Sequence, residues 1–191
     1  MNNPISKFLQ SRIDAKDFPS AVYLIAEKGE IVFQNALGYA VVEPEKIEAR
    51  TGTIYDLASL TKVLVTGLLC AKAVENGELN LSDRVSKYSA FFHTEDKREV
   101  LIQNLLTHTS GFAAWKPFYL LAASLAKETL ISSDLKNIIA KFPNENPADT
   151  KVVYSDLNFI TLGLILENFF GKPLDKIART EIFEPLNLQN H

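Results

Sequence analysis

The order of the pattern constrains this chain most. Two β-rich runs stand at the front, in "AVYLIAEKGEIVFQNALGYA" (residues 21–40), and every long apolar pattern after them is helical. The runs flank "EKGE", where Gly29 can supply the turn, so the segment is predicted to be a β-hairpin. Strands first and helices afterwards do not make an alternating parallel arrangement; the fold class expected is α+β. A lone two-stranded hairpin is only marginally stable. Nothing after Ala40 reads as a second pair of strands, so the sheet begun here is expected to lack its remaining, C-terminal strands.

The helical part follows from periodicity. Ile5, Phe8, Leu9 and Ile13 recur at helical spacing over Ile5 to Asp14. Glu43 to Thr53 reads as a polar connection. Leu60 to Glu75 is apolar on nearly all faces, which predicts a buried helix capped by Gly77. "VLIQNLLTHTSGF" predicts a short helix ended by Gly111. Further helices are expected over Leu120 to Leu130, over Ser133 to Phe142 with Ser133 as N-cap, and over Leu174 to Phe183. Between them "KVVYSDLNFITLGLILENFFG" enters extended and becomes a buried helix stopped by Gly171 and Pro173. With 191 residues, 47% of them hydrophobic, one domain over 1–191 is the expectation.

Charge and composition narrow the partners. The net charge of −3 comes with no basic stripe, so a nucleic-acid partner is not expected. No apolar stretch is long enough to span a bilayer, and the N-terminus shows no signal-peptide pattern, so the chain as written is expected in the cytoplasm, and in the periplasm or outside the cell if a leader precedes it. Cys70, the single cysteine, reads as a small buried hydrophobe. His93, His108 and His191 lack metal-ligand spacing; neither a metal nor an organic cofactor is expected. His108 is expected to make a structural hydrogen bond. "WKPFY" (115–119) fits either a pocket wall or a loop packed over helices.

One stretch carries chemistry. In "YDLASLTKVLVTGLLC" (55–70), Ser59 and Lys62 precede the all-round apolar run. Residues i and i+3 are neighbours on a helix, so Lys62 can reach the Ser59 hydroxyl. A serine is a weak nucleophile until a base takes its proton, and a lysine serves as base only when neutral. Burial and the positive end of a helix both push a lysine towards neutrality. The same spacing recurs at Ser124/Lys127 and Ser133/Lys136, but only Ser59 opens a buried helix after an extended approach. Tyr154 sits where an extended segment meets a helix, and beside an ammonium it could shuttle a proton; a half-buried aromatic is the plainer reading.

Taken together, "TIYDLASLTKV", "LLTHTSGF", "YSDLNFITLG" and the closing "IFEPLNL" resemble the serine β-lactamase and penicillin-binding-protein superfamily, nearest its class C-like branch, which also holds D-Ala carboxypeptidases and esterases. The resemblance runs from about Ser20 to the end, in the family's order. It implies a hydrolase working through an acyl-serine on an ester or amide, with a small-molecule or peptide acyl substrate. It implies Ser59 as the nucleophile, Lys62 as its proton partner, Tyr154 as general base, and the Ser59 N–H as half of an oxyanion hole. Two departures stand out. The family's Tyr-x-Asn reads Tyr154-Ser155-Asp156 here; Asp156 would meet the substrate in place of asparagine and raise the pKa of Lys62, while Asn158 is a second substrate-binding candidate. The family's later Lys-Thr-Gly or His-x-Gly strand is not found, so the chain is expected to be the front part of such a domain, either active or an inactive fragment needing a second chain to complete the sheet.

Overall fold

The computed structural model describes residues 3–118, 120 and 132–188, in two units, Met1–Asp56 and Leu57–His191. In the first unit, α1 spans Pro4–Asp14, with proline in the first turn and the Asn3 side chain accepting from the Ile5 N–H at 2.8 Å. Its amphipathic pattern does not bury as expected: Ile5 and Phe8 are exposed, while Ser6 is buried. The helix meets the strands through polar groups, the Ser6 hydroxyl bonding to the Tyr23 hydroxyl and receiving the Asn35 amide at 3.3 Å.

β1 (Ser20–Glu27) and β2 (Glu30–Val41) form the expected antiparallel hairpin. Lys28 and Gly29 both have positive φ, 51° and 86°, as a two-residue turn matching the strand twist requires. Ile25 pairs with Phe33 but Ala26 with Ile31, so Val32 is the extra residue of a bulge. A third strand, β3 (Ile47–Glu48), pairs antiparallel with β2 inside the segment read as a polar connection. Two residues are too few to show alternation, so its pattern could not reveal it.

The second unit is helical. A widened π-helical turn, Lys62–Thr66, runs into α2 (Gly67–Glu75). Short helices α3 (Val85–Tyr88) and α4 (Ile102–Leu106) follow, then α5 (Ser132–Lys141), α6 (Asp156–Phe170) and α7 (Leu174–Ala178), the last continued by a π-helical turn over Arg179–Phe183. The helix expected over Leu120 to Leu130, including Ser124 and Lys127, lies outside the described residues except Leu120. Ser133 is not an N-cap, since α5 already includes Ser132.

The core gathers around α6. Leu157, Leu162, Ile165 and Leu166 pack with Leu69 and Cys70 of α2, Ile102 and Leu105 of α4, and Ile177 of α7. Leu60–Glu75, however, is not buried on all faces. Leu69, Cys70 and Ala73 are buried, but Leu60, Val63, Leu64 and Leu68 are exposed, at 56%, 64%, 49% and 40%. Among the described residues no helix is long and apolar enough to cross a membrane.

Candidate active site

Three local structures bring the chemistry together. Ser59 closes a turn in which Ala58 takes a positive φ of 44°, a strained conformation for a residue with a Cβ. The Lys62 N–H bonds back to the Ser59 carbonyl at 3.1 Å, so the helical geometry is already in place across Ser59 to Lys62. Both side chains therefore leave the same face, and Lys62 Nζ donates to Ser59 Oγ at 3.1 Å.

Tyr154 comes from the other end of the sequence. Ser155 is the N-cap of α6, its hydroxyl accepting from the Asn158 N–H and donating to the Ala113 carbonyl at 2.6 Å. The loop after α4 holds this entry in place. Val153 N–H bonds to the His108 carbonyl, Ser155 N–H to His108 Nδ1 at 3.1 Å, and Asp156 N–H to the Ala114 carbonyl. Gly111 makes the loop possible: at φ 81°, a Cβ there would lie 1.9 Å from the Asn146 carbonyl oxygen. His108, itself at φ 60°, lays its ring beside that of Tyr154, with centroids 4.7 Å apart.

At the centre Lys62 Nζ donates to Ser59 Oγ at 3.1 Å, pairs with Asp156 Oδ1 at 2.7 Å and lies 5.1 Å from the centroid of the Tyr154 ring. Burial pushes the Lys62 pKa down, but the bonds to Asp156 and then Tyr154 outweigh it and leave it raised. Of the two pushes expected on Lys62, that of Asp156, at the first turn of α6, prevails over burial. The bonds from Ser59 and Lys62 lower the pKa of the exposed Tyr154. Burial, and then the charge of Lys62, lower that of His108.

Of the residues singled out from sequence, Ser59, Lys62, Tyr154 and Asp156 meet in one cluster. Asn158 does not. It is fully buried, accepting from Ser110 Oγ at 2.6 Å and approaching His108 Nδ1 at 3.3 Å. Two residues beyond Asp156 on a helix is a different face, so Asn158 secures the loop bearing His108 and has no open route to a substrate. Ser110 and His108 are thus part of what positions Tyr154, and "HTSG" was their only sequence signal. Trp115 is exposed and does not line the cavity at Ser59; Tyr119 and His191 lie outside the described residues.

That cavity, of about 700 Å³, opens at Ala58 and Ser59 and runs along α6. A serine hydrogen-bonded to a lysine three residues on, with a tyrosine beside that lysine, is the constellation the resemblance implied, and the sequence profile described as Beta-lactamase matches residues 5–190. The chain belongs to the Beta-lactamase family. A protein of Escherichia coli (strain K12) named as a candidate D-alanyl-D-alanine carboxypeptidase is 31% identical over 97% of this chain and 45% of its own length. One of Salmonella typhimurium with the same name is 34% identical, again over 45% of its length. The chain thus spans less than half the length of these relatives. Among solved structures, EstCE1, a hydrolase with promiscuous acyltransferase activity, superposes with a TM-score of 0.81 at 27% identity, over 97% of this chain and 51% of that one. A class C β-lactamase, 21% identical over 96% of this chain and 48% of that one, has a TM-score of 0.77 and shows the shared fold. The α+β class is therefore that of the β-lactamase and penicillin-binding-protein-like hydrolases, with only part of their sheet among the described residues.

Proposed function

We propose that this chain carries the acylation centre of an acyl-serine hydrolase, with Tyr154 as the base. The observation that carries the reading is Ser59 Oγ 3.1 Å from Lys62 Nζ, with the Tyr154 ring 5.1 Å from the same ammonium. Tyr154, as phenolate beside Lys62, takes the proton of Ser59 while Oγ bonds to the substrate carbonyl carbon. The tetrahedral intermediate collapses as Tyr154 returns that proton to the leaving alcohol or amine, leaving the acyl group on Ser59. Water then gives a proton to Tyr154 and its oxygen to the acyl carbon, and Ser59 leaves with that proton. Lys62 stays protonated throughout and Asp156 keeps it so. An ester, a β-lactam and a D-Ala peptide all satisfy this chemistry.

Intact-mass analysis with a fluorescent penicillin and with a small activated ester tests it. A Ser59-dependent adduct or burst is expected, absent in Ser59→Ala. Labelling that survives Ser59→Ala would sink the assignment.

A second reading is favoured by the exposed Leu60, Val63, Leu64 and Leu68 on the nucleophile's own helix. In it, the site works only when a further polypeptide segment covers that face and completes the sheet and oxyanion hole; an unbuilt donor costs about 10²–10³ in rate. A folded chain that gives no adduct at all would support it.

A further inference from the structure

Resting on the acyl-serine reading, we propose that His108 is a proton-operated latch on Tyr154: with Nδ1 bare it holds the base in place, and on taking a proton there it releases the start of α6. His108 acts through Tyr154 and is a positioning residue. Its ring packs against Tyr154 and against Phe159, with centroids 4.7 and 5.3 Å away. Its carbonyl accepts from the Val153 N–H at 2.9 Å, and its Nδ1 accepts from the Ser155 N–H at 3.1 Å. His108 therefore holds the residue before Tyr154 with its backbone, the residue after it with its ring, and Tyr154 itself by ring contact.

These bonds decide which nitrogen carries the proton. A backbone N–H can only donate, so the Nδ1 that faces Ser155 presents its lone pair, and the proton of the neutral ring sits on Nε2. Asn158 agrees with this. Its Oδ1 accepts from Ser110 Oγ at 2.6 Å, which leaves its amide nitrogen, a donor, 3.3 Å from the same Nδ1.

A second proton would have to enter at Nδ1, against both donors. It would break the bond to Ser155 and place a cation near Lys62. Among the described residues, the charged groups acting on the ring are Lys62 and, from α6, Asp156; Tyr154 is the titratable group beside it. Burial and then Lys62 hold His108 below its ordinary value of 6.5, with Asp156 opposing. The neutral ring fixes both neighbours of Tyr154. The protonated ring frees Ser155, whose hydroxyl caps α6, and the base moves with it.

The test reads the pH profile of Ser59-dependent p-nitrophenyl acetate hydrolysis on the full chain. His108→Ala and His108→Asn stand beside it, with circular dichroism to establish folding at each pH. Asparagine tolerates a positive φ and can accept through Oδ1 in place of Nδ1, but it does not titrate. His108→Ala is expected to lower kcat about 10- to 100-fold through displacement of the base, and His108→Asn to restore it to within about threefold of the parent. For the parent, log kcat/KM should fall with unit slope where Tyr154 takes up its proton, then steepen below pH 6.5 as His108 follows. In His108→Asn the unit slope should persist. A parent that shows no steepening, an asparagine variant that keeps it, or one no better than alanine would overturn the latch and leave the hydrolase reading standing. Should His108→Ala fail to fold, the asparagine profile decides. Where no ester is turned over, that reading fails, and NMR of the chain with isotope-labelled histidine and tyrosine decides the latch. A proton on Nε2 alone at neutral pH, with Tyr154 ring signals that move at the His108 midpoint, supports it. A proton on Nδ1, or a Tyr154 ring indifferent to His108, overturns it.

Discussion

Leu24, Ile31 and Val32 in the hairpin unit are 58%, 59% and 56% exposed, whereas Leu69, Ile102 and Leu162 in the helical unit are fully buried. The two stretches are comparably apolar in sequence. Among the described residues, every buried apolar side chain lies at or after Val65; in the first unit the buried positions are Ser6 and Ser20. The difference is one of layers. A helix stripe buries when other helices surround it, as α2, α4 and α7 surround α6. A sheet face buries only when another layer covers it, and the strands of the first unit show most of their large apolar side chains to solvent. Local pattern thus specifies an element equally well in both units, while stability is concentrated in one.

That contrast makes its largest prediction in stability. Ile102→Ala should cost about 2–5 kcal/mol, because it empties a fully buried site. Leu24→Ala should change stability by no more than about 0.5 kcal/mol, since the side chain is already in water. Urea unfolding followed by far-UV circular dichroism measures both. Equal losses would break the contrast and mean that the sheet face is covered in solution.

How much could be read from sequence follows the same division. The hairpin was legible because β-rich runs and the glycine of "EKGE" are local signals, and α6 because its apolar run and the stop at Gly171 and Pro173 mark it. Ser59 and Lys62 were legible as neighbours from their helical spacing, and Tyr154 from the motifs that carry the family resemblance. What was missed depends on distant neighbours. Phe92 and Lys97 are buried by contacts no local pattern signals, the Lys97 ammonium reaching the Phe142 carbonyl at 2.5 Å across 45 residues. For Lys62 the sequence offered two opposing pushes, burial towards neutrality and Asp156 towards charge, and their balance depends on a distance that no local pattern gives.

Lys97 provides a second, smaller test within the helical unit. It is 1% exposed and pairs with Asp96 at 2.7 Å. Burial pushes the Asp96 carboxyl upward, but bonds from Lys97, Thr94 and the Asn144 N–H hold it down at about 2. The folded pKa lies below the ordinary value of 3.8, so the carboxylate stabilises the fold above that value and loses its effect as pH falls from about 4 through about 2. Thermal melts over this range should show a smaller fall in Tm for Asp96→Asn than for the parent, alongside a lower Tm at neutral pH because Lys97 loses its anion. Parallel acid curves would remove Asp96 from the account.

The smallest effect expected is also the one that tests the site most closely. Asp156 acts on two groups at once: it raises Lys62 and, through its charge, raises Tyr154, opposing the lowering by Ser59 and Lys62. With Tyr154 as base, the acid limb of a kcat/KM profile follows its deprotonation, and the alkaline limb follows loss of the proton from Lys62. Asp156→Asn removes a negative charge from beside both. Tyr154 then deprotonates more readily and Lys62 loses its proton more readily, so both limbs should move to lower pH together, with the bell kept. Were Lys62 itself the base, activity would need its neutral form; Asp156→Asn would move the acid limb down through Lys62 and raise the rate at neutral pH. The pH profile of activated-ester hydrolysis, or of Ser59 labelling where turnover is slow, separates the two. A neutral-pH gain with no shift of the alkaline limb would transfer the base role from Tyr154 to Lys62.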